Sequence, residues 1–113
     1  MSNKSYFYQF ETVDLLITLK TEGGGSAAEV LEDYDEIIVS LEQPPALVNV
    51  ANFDVRAEES AIVAHLSQQE TGSINTGTAT IQVNVYKNRR RKATGYGQIL
   101  VKRNLHKQIM GGE

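Results

Sequence analysis

The sequence predicts an all-β fold: an antiparallel, Ig-like β-sandwich of about six to eight strands with one short helical turn. Several short segments alternate apolar and polar residues with the two-residue period of a half-buried strand. Turn residues separate these segments at nearly regular intervals. The 113 residues, 41% of them hydrophobic, suit one domain over residues 1–113, with residues 1–5 and 111–113 expected to fray.

The longest alternating stretch runs from Thr78 to Val101 and predicts one β-hairpin that turns over Lys87–Lys92. The apolar residues of its first arm share one face: Ala79, Ile81, Val83 and Val85. The opposite face carries threonine, amide and tyrosine side chains without charge. Because few ions would lose their hydration there, this face suits either solvent or another protein.

Four further strands are predicted upstream, over Thr12–Lys20, Glu36–Gln43, Val48–Val55 and Ala61–Leu66. Pro44-Pro45 ends the second of them because proline cannot donate to a ladder, and a bulge is expected near Ala51-Asn52 in the third. The inward residues expected to hold two sheets together are Leu15, Ile37, Val39, Leu66, Ile81 and Val83.

Two segments have helical character. Ser67-Gln68-Gln69-Glu70 has the S-x-x-E form of a capping box, which predicts a short helical turn between strands. Ala27–Asp35 contains good helix formers but is too short to be stable alone. It therefore fits either one helical turn or an extended approach to the next strand.

No catalytic, cofactor-binding or metal-binding site is predicted, so the chain is expected not to be an enzyme. It contains no cysteine, which excludes disulfides and thiolate sites. Gly23–Gly25 is not followed by the Lys-Ser/Thr pair of a phosphate-binding loop. The acidic run Glu32–Glu36 lacks the spacing of a calcium loop. His65 lies near Ser67, but no third catalytic partner is evident.

The candidate partner-binding residues form two groups. The first is the aromatic opening, with Tyr6, Phe7 and Phe10 as candidates. Aromatic side chains near a terminus either pack within the domain or anchor a neighbouring subunit. The second is the basic hairpin tip, which comprises Arg89, Arg90, Arg91 and Lys92.

Three interpretations of the basic tip stay open: charge that discourages aggregation, docking on an acidic protein, and phosphate contact. The net charge of -3 and the pI of about 5.4 argue against general affinity for nucleic acid or anionic membrane. Residues 1–10 lack the apolar region of a signal peptide, and no apolar run approaches the ~20 residues of a membrane span. Synthesis and folding in the cytoplasm are therefore expected.

A resemblance adds to this interpretation. The run Ala61–Thr71, AIVAHLSQQET, followed by Gly77–Asn84, GTATIQVN, resembles small β-sandwich proteins encoded by bacteriophages and prophages of Gram-positive bacteria. Asp33–Gln43 is similar to an earlier strand of these proteins that ends in glutamine, so the resemblance spans Asp33 to Val101. The chain is also similar to the N-terminal domain of phage baseplate upper proteins, although it lacks their long C-terminal coiled coil.

The resemblance implies a non-enzymatic virion structural or assembly protein, associated with the tail or baseplate, that acts by protein–protein docking. The implied partners are other phage structural proteins, and a homo-oligomer is expected. No cofactor and no membrane are implied, and the implied location is the bacterial host cytoplasm during assembly and then the virion. The alternative is a nucleic-acid-binding or regulatory phage protein that uses the tip from Arg89 to Lys92, although nucleic acid is not the expected partner.

Overall fold

The computed structural model describes residues 6–23 and 25–104. Within these residues, two sheets and two small helices confirm a mostly β architecture compatible with a sandwich. The elements, in chain order, are β1 (Tyr6–Tyr8), β2 (Val13–Thr18), β3 (Lys20–Thr21), α1 (Ala27–Glu32), β4 (Glu36–Gln43), β5 (Ala46–Asn49), β6 (Phe53–Arg56), a 3-10 helix (Ala57–Glu59), β7 (Ala61–Leu66), α2 (Gln68–Gly72), β8 (Gly77–Lys87) and β9 (Arg90–Lys102).

The larger sheet has the strand order β1-β9-β8-β4-β5, with β3 also pairing with β9, and the smaller sheet has the order β2-β7-β6. The prediction of a purely antiparallel sandwich was wrong at one place, since β1 pairs with β9 in parallel. The described chain also has more short elements than predicted: nine strands, two α-helices and a 3-10 helix. The expected fraying of residues 1–5 and 111–113 concerns residues outside the described ranges.

The predicted hairpin is confirmed as β8 and β9, and its turn is shorter than expected. Asn88 and Arg89 alone form it, with φ angles of 52° and 64°. Left-handed backbone at both central residues is what a two-residue hairpin loop requires. The register slips between Val85 and Tyr86, leaving Lys92 as the extra residue on β9.

The apolar layer between the sheets is largely the predicted one. Five of its expected members are buried: Leu15, Val39, Leu66, Ile81 and Val83. Ile37 is partly buried and packs against the same cluster. At roughly 2 kcal/mol for each large apolar side chain removed from water, this layer is the main stabilising contribution to the fold.

The segment predicted as one strand over Val48–Val55 belongs to two strands in different sheets. After β5 the chain crosses from the larger sheet to the smaller sheet and enters β6. The Val50 amide donates to the Val39 carbonyl at 2.8 Å, and the His65 amide donates to the Asn52 carbonyl at 2.9 Å. The bulge expected at Ala51-Asn52 is therefore the crossing itself.

Both short helices begin at a serine whose side chain caps the first turn. Ser67 accepts from the Glu70 amide at 3.1 Å, and the Glu70 carboxylate accepts from the Ser67 amide at 2.8 Å, which confirms the capping box. Ser26 accepts from the Ala28 amide at 3.2 Å, so the ambiguous segment is helical over α1. None of the described helices has the length and apolar content needed to cross a membrane.

Candidate protein-docking surface

The outer face of the larger sheet, called the docking face below, carries most of the large apolar side chains that remain exposed. Six of the seven such residues in the described chain lie on it: Tyr6, Tyr8, Ile38, Leu47, Tyr96 and Leu100. The most exposed is Tyr96, at 73%. The seventh, Tyr34, precedes β4. Exposed apolar groups gathered on one face are typical of protein interaction sites.

The middle of the docking face is uncharged. The β8 residues that point outward are Thr78, Thr80, Gln82, Asn84 and Tyr86. Their cross-strand neighbours include Ser40, Thr94 and Gln98. The Thr94 hydroxyl also bonds the Asn84 side-chain oxygen at 3.1 Å, so part of this row is already ordered. Covering such a surface requires the dehydration of hydroxyl and amide groups rather than ions.

Charge lies along the two margins of the docking face, with opposite signs. Glu36 and Glu42 project from β4 on one side. Lys20 on β3 and Lys102 at the end of β9 project on the other side. Within residues 6–23 and 25–104, no ion pair involves any of these four side chains. The face therefore has an acidic margin and a basic margin on either side of a neutral centre.

The predicted aromatic opening divides between the surface and the core. Strand alternation in β1 turns Phe7 inward, where it is fully buried, and turns Tyr6 and Tyr8 outward. The two tyrosine rings meet edge to face with centroids 5.7 Å apart, and Lys102 Nζ lies 4.0 Å from the Tyr6 ring centroid. Tyr6 thus lies on the docking face, whereas Phe7 is a core residue that a partner cannot reach.

Phe10 lies apart from the docking face. It is half-buried with a φ of 65°, and its ring packs directly on Gly72 of α2. A methyl group at Gly72 would overlap this ring, so a larger residue there would require the ring to move. Of the three aromatic candidates, Tyr6 alone contributes to the docking face, and Phe10 serves packing against α2.

Acidic residues from elsewhere in the chain pair with one residue of the basic tip, Arg91, and with the neighbouring Lys87. Arg91 Nε lies 2.8 Å from Glu22 Oε1 at the base of the tip. Lys87 Nζ lies 3.0 Å from Asp33 Oδ1 and 3.4 Å from Asp35 Oδ1. The sequence does not reveal the contact between the acidic run and Lys87, because more than fifty residues separate them along the chain.

These contacts shift the titration of the groups involved. The hydrogen bond from the Asn88 amide, assisted by the charge of Lys87, lowers the pKa of Asp35. The hydrogen bond to Asp33 and the nearby carboxylate charges raise the pKa of Lys87. In the described chain, Arg89 and Arg90 have no carboxylate partner and remain exposed. Lys92 is half-buried and also makes no ion pair with a described residue, so the charge that the tip offers to a partner is that of Arg89, Arg90 and Lys92.

A cleft of about 290 Å³ opens beside β9, between the pairing sites of β3 and β1. It is bounded by Leu15–Thr18 on β2 and by Tyr96–Ile99 on β9. A side chain at Gly97 would meet no described atom within 4 Å, so the cleft extends beneath that residue. Tyr96 is the one ionisable side chain among these lining residues, which include no histidine, carboxylate or lysine.

The titratable cluster of the smaller sheet lies on its outer face. His65 Nδ1 is 2.6 Å from Asp14 Oδ1, and His65 Nε2 is 2.9 Å from Asp54 Oδ2. The hydrogen bonds to Asp14 and then Asp54 raise the pKa of His65. Because both ring nitrogens already meet carboxylates, no nitrogen is left to act on a nucleophile. The cluster joins three strands and does not form a catalytic triad.

No group of three or more histidine, aspartate or glutamate side chains in the described ranges could hold a metal ion. Four exposed side chains of the docking face were not among the residues predicted from the sequence: Ile38, Leu47, Tyr96 and Leu100. Alternation along the hairpin does indicate that Tyr96 and Leu100 are exposed, because it places them on the same face as the uncharged residues. Ile38 and Leu47 fall in strands whose apolar runs mask the alternation.

Comparisons with known proteins add no information on function, which is therefore inferred from the fold and the docking face. No family model, no curated protein and no solved structure matches the chain.

Proposed function

We propose that the chain is a non-enzymatic structural or assembly protein of a phage or prophage virion, associated with the tail or baseplate, that acts by protein–protein docking. The observation that supports this most directly is the clustering of Tyr6, Tyr8, Ile38, Tyr96 and Leu100 on one neutral sheet face. Aromatic and aliphatic side chains on a surface poor in charge are the usual anchors of protein interfaces.

The phage assignment is supported by the resemblance of the segment from Ala61 to Asn84. Its strand β7, capped helix α2 and strand β8 follow in the order that the resemblance implies. The Ig-like arrangement expected from the sequence is part of the same proposal, and two sheets around one apolar layer support it. The other structural proteins of the particle are the proposed partners, in the host cytoplasm during assembly and then in the virion.

The proposed mechanism is surface packing. Tyr96 and Leu100 enter pockets of a partner, while the neutral row on β8 fits against it with little dehydration of charge. Arg89 and Arg90 meet an acidic surface and orient the approach. No step requires bond chemistry.

Particle incorporation tests this proposal in a host that carries the gene. Phage particles are purified on a density gradient after induction, and the chain is quantified in them by mass spectrometry. We expect the native chain and the off-face control Tyr34→Ser to sediment with particles, and the Tyr96→Ser/Leu100→Ser variant to be depleted at least ~10-fold. A native chain found only in particle-free fractions would contradict the proposal.

The nucleic-acid alternative has a separate test. A binder that makes ~4 phosphate contacts through the tip loses affinity with a log–log salt slope near -3 to -4. Fluorescence anisotropy with duplex DNA at several salt concentrations measures this slope for the native chain and for Arg89→Gln/Arg90→Gln. The ion pairs already made by Lys87 and Arg91 favour weak or absent binding.

A further inference from the structure

The charges of the docking face make it complementary to itself. The acidic margin, Glu36 and Glu42, lies on β4, one strand to one side of β8. The basic margin, Lys20 and Lys102, lies on β3 and on β9 on the other side. In the order β1-β9-β8-β4-β5, the acidic residues lie one strand from β8 on one side, and on the other side Lys102 lies one strand away and Lys20 two strands away.

Two arrangements place a second copy face to face with two-fold symmetry and aligned sheets. A two-fold axis across the strands places β4 over β4, so that the acidic residues of one copy lie over the same strand of the other copy and repel its acidic residues. A two-fold axis along β8 places β4 over β9, and β5 over β1 and β3. In the second arrangement each residue stays in its own row of the sheet. Glu36 of one copy therefore lies over the row of Arg91 in the other copy, close to Lys20, whereas Glu42 lies over Gln98.

The same arrangement also matches the apolar side chains. Ile38 on β4 and Leu47 on β5 lie on the side that meets β9 and β1 of the other copy. The exposed side chains there are Tyr6, Tyr8, Tyr96 and Leu100. The strands β9, β8, β4, β5, β1 and β3 contain 13, 11, 8, 4, 3 and 2 residues. At ~3.3 Å per residue and ~4.8 Å between strands they form a face of roughly 650 Å². That area approaches the ~800 Å² per partner of a stable interface.

We infer that the docking face is occupied by a second copy of this chain, packed face to face about a two-fold axis that runs along β8. This inference rests on the proposed docking face and names its occupant. The contact is isologous, so every acidic-to-basic contact occurs twice. Uncharged residues of β8 lie on the axis, where each faces its own copy without repulsion.

Charge reversal tests the pairing of the margins. The dimer dissociation constant is measured by sedimentation for the native chain and for Glu36→Lys, which places a lysine over the row of Arg91 and close to Lys20 of the other copy. We expect at least ~10-fold weaker association. Adding Lys20→Glu to that variant exchanges the two charges and should restore association to within ~3-fold. The control Glu58→Lys changes the net charge equally on the exposed 3-10 helix and should leave the dimer unchanged.

Cross-linking tests the position of the axis, and the chain has no cysteine to interfere. Gln82→Cys places a thiol on the axis, whereas Asn49→Cys places one on β5 in the same row of the face. Two strand spacings separate Asn49 from the axis, so it lies ~20 Å from its own copy. A short bis-maleimide should therefore join Gln82→Cys chains and leave Asn49→Cys chains unjoined.

The outcomes separate this inference from the proposed function. A chain that is monomeric at millimolar concentration overturns it, as does a dimer that Glu36→Lys does not weaken. Cross-linking of Asn49→Cys chains in preference to Gln82→Cys chains overturns the proposed position of the axis. Particle incorporation without dimerisation leaves the proposed function standing and assigns the face to another protein. Dimerisation without particle incorporation supports the inference and contradicts the proposed function. Circular dichroism confirms that each variant is folded.

Discussion

Asp14 and His65 lie directly opposite each other on β2 and β7, and 2.6 Å separates Asp14 Oδ1 from His65 Nδ1. Asp54 on β6 meets the other ring nitrogen at 2.9 Å. A neutral imidazole carries a single N–H, so both contacts are hydrogen bonds only when the ring is protonated. A proton on His65 therefore helps to join all three strands of the smaller sheet.

This arrangement predicts that stability falls as pH rises through the folded-state pKa of His65. That pKa is raised above 6.5 by the hydrogen bonds to Asp14 and Asp54. A raised pKa contributes stability that is fully present below pH ~6.5 and is lost above the folded value. Urea unfolding at pH 6 and pH 9 should show a loss of about 1 kcal/mol or less, the range of exposed ion pairs.

The control for this effect is His65→Gln, which keeps a polar side chain but cannot titrate. Its unfolding free energy should change less between the two pH values than that of the native chain. Asp14→Asn/Asp54→Asn should flatten the profile in the same way, because the carboxylates that raise the pKa are gone. An unchanged pH dependence in both variants would show that other groups cause it.

Phe7 and Tyr8 are neighbours on β1, but one is buried and the other is exposed. Truncation to alanine should therefore lower the free energy of unfolding by different amounts at the two positions. Phe7→Ala removes a fully buried ring and should destabilise the fold by about 3–5 kcal/mol. Tyr8→Ala removes a ring that is 39% exposed and should cost about 1 kcal/mol or less. Denaturant midpoints of the two variants measure the difference. Equal small costs would mean that β1 contributes little to the core in solution.

The all-β class, the hairpin and the capping box were predictable because each is local. Alternation within β8 fixes which side chains face the core, and Ser67 lies three residues before Glu70. The crossing between β5 and β6 was not predictable, because apolar residues continue through it. Val50 is buried in the crossing itself, so the pattern does not reveal the change of sheet.

The candidate site was predictable in its chemistry but not in its composition. The uncharged alternate residues of β8 lie together on the outer face of the larger sheet, as the alternation predicts. The side chains around them come from β1, β4, β5 and β9, and their assembly depends on strand order. Lys87 and Asp33, which form an ion pair, are 54 positions apart. At that separation the sequence pattern does not show which residues of two segments lie next to each other.

The capping box of α2 predicts a specific difference between two substitutions. Ser67→Ala leaves the Glu70 amide without its acceptor and should cost about 1 kcal/mol of unfolding free energy. Glu70→Gln keeps an oxygen that can accept from the Ser67 amide, so its cost should be smaller. Urea unfolding measures both. A larger cost for Glu70→Gln would show that charge at the first turn matters more than the reciprocal bonds.

Gly95 and Gly97 of β9 predict opposite responses to the same added methyl group. A Cβ at Gly95 would lie 2.5 Å from the Thr18 carbonyl oxygen and 2.9 Å from Ile17 Cγ2. Since the nearer atom belongs to the backbone, β2 must shift, and Gly95→Ala should cost about 1–3 kcal/mol. A Cβ at Gly97 would point into the cleft and meet no described atom within 4 Å.

Gly97→Ala should therefore be neutral or stabilise the fold by up to about 1 kcal/mol, because alanine restricts the unfolded chain more than glycine does. Thermal and urea unfolding of the two variants provide the comparison, with identical chemistry two residues apart on one strand. Equal destabilisation by both would mean that the cleft beside β9 is closed in solution. Tolerance of both would mean that β2 is not held against Gly95.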